Sequence, residues 1–416
     1  MKNDNRHIHW PSVWQFALSA IAAVALLGAG LSLALAGLAW RFDRSASIIS
    51  ATPFFLMAAG LLMSGMLLLP SAGFALLRLI GYPRLLDRYK LDIPYLRPTL
   101  LFLLVPVILY AGHLVNSQLP DWEWLLLPPI HLLAIGLPLL WLVFLGGRGL
   151  SSGSQQQTWG ILGSGLALSP LLIMVAEIVA AGLFLVFGAF YLLRRPGLVE
   201  ELSSLAQRLV EAPPNPAVYQ RLLEPILLQP GIVYGVFIFI AVVVPLIEEA
   251  LKPVGVWLLA GRDISPSTGF AAGLLSGAGF ALFESLAFTS NANQWSLVAS
   301  ARIGTGVIHI VTAALTGWAL VTAWQNGRYL RLGLTYLTAV FVHASWNGLT
   351  LLATSLELTG SGILENNFIT HLAEIAPLGL GVLAITAFAI LLGANSILRK
   401  QEKLSQLEVE PRQTVL

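Results

Sequence analysis

Residues 232–260 read IVYGVFIFIAVVVPLIEEALKPVGVWLLA, an apolar run that is long enough to cross a membrane and still contains three ionisable side chains. A transmembrane helix needs about 20 mainly apolar residues. Ionisable side chains are costly in hydrocarbon, so within a span they usually face a bundle interior or an aqueous cavity and serve a function. This stretch therefore predicts a transmembrane helix that carries part of a functional site.

The three ionisable residues are Glu248, Glu249 and Lys252. On a helix, Lys252 lies about one turn from both carboxylates, so its ammonium can reach either of them. The carboxylate that it does not hold is a candidate general base, the group that takes a proton from an attacking water. A buried ion pair that only fixes the register of the helix is the alternative.

The composition of the whole chain is that of a membrane protein. Of its 416 residues, 56% are hydrophobic and 11% are charged, whereas a soluble domain has about 25% charged residues. Because backbone polar groups in lipid must be satisfied internally, the spans are expected to be helices. We predict an all-α polytopic membrane helical bundle of about ten transmembrane helices, at about 14–39, 48–70, 98–116, 124–146, 166–193, 232–259, 267–289, 299–323, 330–353 and 374–397.

Charge and cysteine content exclude several classes of function. The Lys and Arg residues are spread over short connections, so no nucleic-acid partner is expected. The chain has no cysteine, which excludes disulfides, thiolate zinc sites and cysteine nucleophiles. Apart from Lys252, the chain has 22 Lys and Arg residues, and 15 of them lie in the connections on the side of the N-terminus. By the positive-inside rule, both termini are predicted to be cytoplasmic.

The polar residues divide the chain into four predicted segments. Residues 1–193 form an N-terminal transmembrane region of about five spans, and 194–229 form an amphipathic connection. Residues 230–398 form a membrane domain with many polar residues inside its spans, and 399–416 form a polar C-terminal tail. Prolines inside the spans predict kinks; they are Pro106, Pro138, Pro170, Pro245 and Pro253. The run 158–193 is long for one crossing and is compatible with a re-entrant piece.

The 194–229 connection contains leucines at helical spacing, namely Leu198, Leu202, Leu205 and Leu209. This pattern indicates an amphipathic helix. It is compatible with a helix that lies on the membrane surface, in contact with lipid, and equally with an ordinary loop helix packed on the protein.

The C-terminal spans add further polar residues. Gly269, Gly273 and Gly277 form a row of small residues that favours close helix packing, and Glu284 follows on the same face. The next span carries His309 within a stripe of threonines. The span after that carries His343 and Asn347, four residues apart.

Together these residues can supply a base for water, partners that orient it and donors for an oxyanion. Direct attack by an activated water is the simplest hydrolytic scheme for this set. Two histidines with carboxylates are also the donors of hydrolytic zinc sites. The sequence is compatible with both schemes, and it lacks the His-x-x-x-His pair that would specify zinc.

Four motifs in order resemble the PrsW family of intramembrane proteases, which belongs to a wider group with CAAX prenyl endopeptidases and bacteriocin-processing membrane proteins. They are Glu248-Glu249-x-x-Lys252, Phe283-Glu284, His309 with Gly317, and His343-x-x-Trp346-Asn347. The resemblance covers about 230–355, with the last span as a candidate extension, and leaves the first five spans unexplained. The second motif usually continues to a tyrosine, but Phe288 stands at that place.

The resemblance implies an intramembrane endopeptidase that hydrolyses a peptide bond in or near the membrane segment of a membrane-anchored protein. It assigns water activation to Glu248, tuning of that base to Glu249 or Lys252, proton transfer to His309, and oxyanion stabilisation to His343 with Asn347. Glu284 completes the candidate catalytic set.

The resemblance leaves the metal open. If a divalent ion such as zinc takes part, the candidate ligands are Glu249, Glu284, His309 and His343. It also suggests an anti-sigma factor as the kind of substrate, contact with membrane lipid, and a location in a bacterial cytoplasmic membrane.

Two other functions compete with proteolysis. A catalytically silent binding or scaffold protein of the same fold would be expected to lose motif residues, and here only Phe288 departs from the pattern. A proton- or cation-coupled transporter would be expected to show paired repeats, whereas the polar residues lie mainly in the C-terminal half.

Overall fold

The computed structural model describes the backbone over most of the chain, namely residues 9–42, 50–82, 96–194, 197–213, 218–219, 221–223, 229–287, 294–355 and 367–413. Within these ranges the regular elements are all helices. The all-α fold expected from the apolar runs is therefore confirmed.

Fifteen α-helices are numbered here in chain order. The first seven are α1 Trp10–Phe42, α2 Thr52–Leu79, α3 Leu96–Phe102, α4 Val105–Gln118, α5 Glu123–Gly146, α6 Gln155–Gly163 and α7 Ser169–Leu193. The others are α8 Leu198–Glu211, α9 Pro230–Ile238, α10 Val244–Leu251, α11 Val254–Trp257, α12 Pro266–Ala287, α13 Trp295–Asn326, α14 Tyr329–Ser355 and α15 Asn367–Gln413.

Nine helical stretches among the described residues are long and apolar enough to cross a membrane. They match nine of the ten expected spans. The remaining one, expected at 330–353, forms helix α14 but is not among the nine. Polar residues such as His343 and Asn347 lower its hydropathy. The run 155–190 is a single candidate span, so the long segment there does not fold back as a re-entrant piece.

Two of the intramembrane prolines follow wide helical turns. One π-helical turn covers Ser164–Leu168 and the other covers Phe239–Val243, and Pro170 and Pro245 each stand two residues beyond a turn. A proline cannot donate the usual backbone hydrogen bond, and its ring clashes with the preceding turn of an α-helix. A π turn is wider and absorbs this conflict without ending the helix.

The other prolines act differently. Pro106 lies in the first turn of α4, after the break at Leu103-Leu104. Pro253 lies in the turn between α10 and α11. Pro138 lies inside α5, which continues through it. The chain thus leaves α-helical geometry next to Pro106 and Pro253, where the sequence predicted kinks.

The described chain divides into two compact units. The first consists of Met1–Leu171, Glu249–Ala339 and Ala384–Leu416, and the second of Leu172–Glu248 and Val340–Leu383. The four-segment division expected from the sequence stays a prediction.

The first unit is built around α12 and α13. In the most apolar 18-residue segment of each helix, 72% of the residues of α12 and 89% of those of α13 are buried, against 17% of those of α1. A span that is buried in protein has little contact with lipid, so these two helices form the interior of the unit and α1 lies at its outside. Residues from α6, α11, α12 and α13 make a shared apolar cluster.

The glycine row of α12 allows close contact with α13. A Cβ placed on Gly277 would lie 2.7 Å from the carbonyl oxygen of His309, and one on Gly269 would lie 2.7 Å from that of Gly317. Gly273 faces the Ala313 backbone in the same way. Since real Cβ atoms do not approach so closely, glycine is needed at these positions. The packing role predicted for the row is confirmed.

A histidine stabilises the start of α1. The Nδ1 atom of His9 lies 2.8 Å from Ser12 Oγ and 3.3 Å from the Ser12 backbone nitrogen, from which it accepts a hydrogen bond. Partial burial, and then the charges of Arg78 and Arg262, lower the pKa of His9 below 6.5. Only the neutral ring can accept this bond, so the contact favours the same protonation state.

The second unit packs through aromatic and small residues. The rings of Phe184 on α7 and Phe239 in the π turn lie 5.6 Å apart. A Cβ on Gly348 of α14 would lie 3.5 Å from Phe237 Cζ, so α14 runs close beside α9 and the π turn.

Helix α8 confirms the helical spacing expected in the 194–229 connection. Leu205 on its apolar side is 5% exposed, whereas Val210 is 87% exposed. At least this part of the apolar side is covered by protein. Contact of the helix with a membrane surface stays a prediction, and parts of the connection lie outside the described residues.

Candidate active site

The site in the first unit begins at the turn that ends α10. Helix α10 ends at Leu251 and Pro253 prevents its continuation. The carbonyl of Lys252 therefore turns to another helix, where Ser276 Oγ donates to it at 2.6 Å. The same hydroxyl accepts from the Gly255 backbone N–H at 3.3 Å. Ser276 thus fixes the turn from which the Lys252 side chain extends.

The Lys252 ammonium is fully buried and bonds two partners. Its Nζ atom lies 2.8 Å from Glu249 Oε1 and 2.6 Å from His309 Nδ1. Glu249 is also fully buried. The ring of Phe280 lies beside the ammonium, with its centroid 5.1 Å away. Of the two glutamates within reach by sequence, Glu249 forms an ion pair with Lys252.

The hydrogen bonds continue from His309 to a second ion pair. His309 Nε2 lies 2.7 Å from Glu284 Oε2, and Arg302 Nη1 donates to Glu284 Oε1, also at 2.7 Å. Lys252 is an ammonium without an acceptor, so Nδ1 of His309 must accept and Nε2 must carry the proton. His309 is therefore assigned as the neutral Nε2–H tautomer.

These five side chains form one hydrogen-bonded row, called here the charge chain: Glu249, Lys252, His309, Glu284 and Arg302. Two anions and two cations alternate about a neutral imidazole. Each buried charge has an oppositely charged partner, which is the condition under which charge is tolerated in an apolar interior. The end at Glu249 is fully buried, whereas the Glu284 side chain is 31% exposed.

The second unit contains further polar residues of the motifs. Glu248 Oε2 and His343 Nε2 lie 3.9 Å apart, and both residues are buried. This distance is longer than a hydrogen bond. Nearby on α14, Asn347 Nδ2 donates to the carbonyl oxygen of Ile240 at 3.0 Å. The carboxylate, imidazole and amide of the sequence motifs are therefore present in buried or half-buried positions of this unit.

The donor atoms differ in how well they fit a metal. Two ligands of one zinc ion, each at about 2.0–2.2 Å, lie at most about 4.4 Å apart. Glu248 and His343, at 3.9 Å, satisfy this limit. In the charge chain both oxygens of Glu284 and both ring nitrogens of His309 already take part in hydrogen bonds. A metal at His309 would have to displace Lys252 or Glu284.

All seven site residues predicted from the sequence lie in the charge chain or in the Glu248, His343 and Asn347 set, but the sequence analysis missed Arg302 and Ser276. Arg302 was not among the predicted site residues, although it lies seven residues before His309 and hence on the same helical face. Ser276 gave no signal, because a lone serine in a span is ordinary. The threonine stripe has a local role, since Thr312 Oγ1 donates to the Ile308 carbonyl of its own helix. Phe288 lies outside the described residues.

Comparison with known proteins gives one match. No curated protein and no solved structure matches this chain. The model of the PrsW family of intramembrane metalloproteases matches residues 170–395, which include Glu248, Lys252, His309 and Asn347. The match covers more than half of the chain. The chain therefore belongs to the PrsW family of intramembrane metalloproteases.

Proposed function

We propose that this protease hydrolyses a peptide bond in or near the membrane segment of a membrane-anchored protein, with the attacking water activated by Glu248. The observation that carries the proposal is that the adjacent glutamates have different surroundings. Glu249 is held by the Lys252 ammonium at 2.8 Å, whereas Glu248 lies in a buried group with His343. Glu248 is the candidate for proton transfer because it lies in the same unit as the imidazole of His343 and the amide of Asn347.

In the proposed reaction Glu248 takes a proton from water while the oxygen attacks the scissile carbonyl carbon. The carbonyl oxygen becomes an oxyanion, which His343 and Asn347 stabilise by donating hydrogen bonds. Collapse of this intermediate breaks the C–N bond, and Glu248 returns the proton to the leaving nitrogen. The first products are a carboxylic acid and an amine. The proton of the acid then passes to the amine, which gives a carboxylate and an ammonium, so atoms and charges balance.

The charge chain supports this reaction from the neighbouring residue. Lys252 fixes Glu249, the covalent neighbour of Glu248, and His309 with Glu284 and Arg302 fixes Lys252 in turn. A base that is held in a defined position is more effective, because the reacting groups lose less freedom on the way to the transition state.

The family description includes a metal. If the ion binds at these residues, Glu248 and His343 are the donors that fit it best, and they would then act as its ligands in place of the base and oxyanion-donor roles given above. When bound, a divalent ion would polarise the scissile carbonyl and lower the pKa of its water. The base mechanism and metal binding make different predictions about metal content, as described below.

The finer assignments are also proposals. The wider kinship includes the CAAX prenyl endopeptidases and the bacteriocin-processing proteins. The proposed substrate is a single-span protein such as an anti-sigma factor, in contact with membrane lipid. The proposed location is a bacterial cytoplasmic membrane with both termini in the cytoplasm. They are supported by the motif resemblance and by the distribution of Lys and Arg.

The test uses the full-length protein in liposomes with a panel of single-span reporter proteins. We compare wild type with Glu248→Gln, and use Glu177→Gln, another glutamate in a span, as the matched control. Loss of a general base should lower the rate about 10²–10⁴-fold, and the control should retain activity. Cleavage by Glu248→Gln at the wild-type rate would refute the assignment.

Metal content of the same preparations is measured by mass spectrometry. A bound ion that is lost in both Glu248→Gln and His343→Ala would support these two residues as ligands. Full activity in metal-free protein would instead support Glu248 as a base acting without metal. A metal that is retained in both variants would contradict the proposed ligands.

A further inference from the structure

The π turn at Phe239–Val243 changes the hydrogen bonding of one carbonyl group. In an α-helix the Ile240 carbonyl would accept from the N–H of residue 244, four positions on. Here the Val244 N–H donates to the Phe239 carbonyl instead, which is five positions back. The next possible backbone donor for Ile240 is residue 245, the donor that a continued π turn would use.

Residue 245 is a proline, and proline has no N–H. The shift in register and the missing donor therefore act on the same carbonyl. Neither the α-helical nor the π-helical donor serves Ile240, although a carbonyl in an apolar span needs a partner. The Ile240 oxygen is thus left as an acceptor for a side chain.

Asn347 supplies that side chain. Its Nδ2 atom donates to the Ile240 oxygen at 3.0 Å. The neighbouring Gly348 brings α14 close to this segment, since a Cβ there would lie 3.5 Å from Phe237 and 4.0 Å from Ala241. At this separation the short asparagine side chain spans the gap between the two helices.

We propose that Pro245 is a positioning residue that orients the Asn347 amide through the Ile240 carbonyl. Once one N–H of the planar amide points at this oxygen, the direction of the second N–H and of Oδ1 is fixed as well. In the proposed function, on which this inference rests, the second N–H is the oxyanion donor. A donor oriented before the reaction stabilises the developing charge without the cost of reorganisation.

Pro245→Ala tests this inference, because alanine returns an N–H that a continued π turn would direct to the Ile240 carbonyl, whereas an α-helical turn would direct it to Ala241. Pro170→Ala is the matched control: Pro170 also stands two residues after a π turn, in the other unit. Pro245→Val restores the same N–H and serves should the alanine variant not fold. All variants are full-length proteins in detergent micelles with ¹⁵N-labelled asparagine.

The first measurement is the ¹⁵N–¹H spectrum of the Asn347 side-chain amide, assigned by its loss in Asn347→Ala. In wild type and Pro170→Ala we expect one hydrogen-bonded amide proton that exchanges slowly with water. In Pro245→Ala we expect its shift to change and its exchange to become at least about tenfold faster. An unchanged amide signal would overturn the inference, whether or not the protein cleaves any reporter.

The second measurement is peptidase activity in a double-mutant cycle. Pro245→Ala should lower kcat by about tenfold with little change in KM, because the effect is on the transition state. In the Asn347→Ala background the same change should have no further effect, since its target is absent. If the reductions in kcat caused by Pro245→Ala and Asn347→Ala multiply in the double variant, Pro245 acts on a residue other than Asn347. Absence of cleavage in wild type would count against the proposed function, and the amide spectrum would then decide the positioning role alone.

Discussion

The Lys252 ammonium gives the strongest prediction about stability. Lys252 and Glu249 are both fully buried and their charged atoms lie 2.8 Å apart, so solvent does not weaken the interaction. Lys252→Met would leave the Glu249 carboxylate as an uncompensated charge in the interior. Removing one partner of a buried ion pair costs about 3–5 kcal/mol. We expect the free energy of unfolding to fall by this amount.

The double variant Lys252→Met with Glu249→Gln removes both charges and should recover much of the loss. Replacing both members of a buried pair by neutral residues is often close to neutral. His309 Nδ1 would still lose its donor, at a cost of about 1–3 kcal/mol. The double variant should therefore be more stable than Lys252→Met and less stable than wild type.

Reversible unfolding in mixed detergent micelles, followed by tryptophan fluorescence, measures these differences. Lys403→Met, a change at an exposed lysine near the end of α15, is the control and should not alter stability. A single variant no less stable than this control would refute the argument that Lys252 neutralises a buried charge. So would a double variant as unstable as the single one.

Three further predictions follow from other contacts. Arg302→Gln removes the terminal cation of the charge chain. It should lower the free energy of unfolding by about 1–2 kcal/mol, a value kept small by the partial exposure of the Arg302–Glu284 pair, and it should lower kcat by about tenfold. Arg331→Gln, whose guanidinium lies over a tryptophan ring, should leave kcat unchanged, and equal activity of the two variants would contradict the role of the chain. Gly273→Leu should separate α12 from α13 and cost about 1–3 kcal/mol or more; Gly28→Leu, with nothing within 4 Å, should cost nothing, and equal unfolding curves would be the contrary result. Since the pKa of His9 is lowered, its contribution to stability should be complete above about pH 6.5 and be lost as pH falls through the lower folded pKa; His9→Asn should remove this pH dependence of the unfolding temperature.

Hydropathy and spacing predicted most of the fold. The nine apolar helices and the close contact along the Gly269, Gly273 and Gly277 row follow from local patterns. The span expected at 330–353 is helix α14, but its polar residues lower its hydropathy and it is not among the nine. Hydropathy therefore identifies least clearly a span that carries several site residues.

The sequence predicted most residues of the candidate site, but not which of them contact one another. Lys252 could reach Glu248 or Glu249 on an ideal helix, and spacing alone does not choose between them. The choice depends on the turn at Pro253 and on Ser276, which lies on another helix. Arg302 was missed because its partner Glu284 lies 18 residues away on a different helix. Such contacts depend on tertiary packing, which periodicity does not encode.

The role of Asn347 shows the same limit at finer scale. Its motif suggested an oxyanion donor, but nothing in the spacing predicted that Ile240 would accept one of its hydrogen bonds. That contact arises because a proline withholds an N–H five residues after the carbonyl. Ile240 and Pro245 lie close together in the sequence. That the Ile240 carbonyl accepts from a side chain becomes visible only when the register of the π turn is known.

Helix α15 also has a mechanical consequence. Its 47 residues correspond to a rod of roughly 70 Å, more than twice the roughly 30 Å of a bilayer's hydrocarbon. Residues 399–413, expected from the sequence to form a polar tail, continue this helix. Ser267 at the start of α12 bonds Glu402, so the last eleven helical residues project about 16 Å beyond that contact. A force applied to their tip would act as on a lever, because a continuous helix transmits torque and displacement that a coiled linker would dissipate.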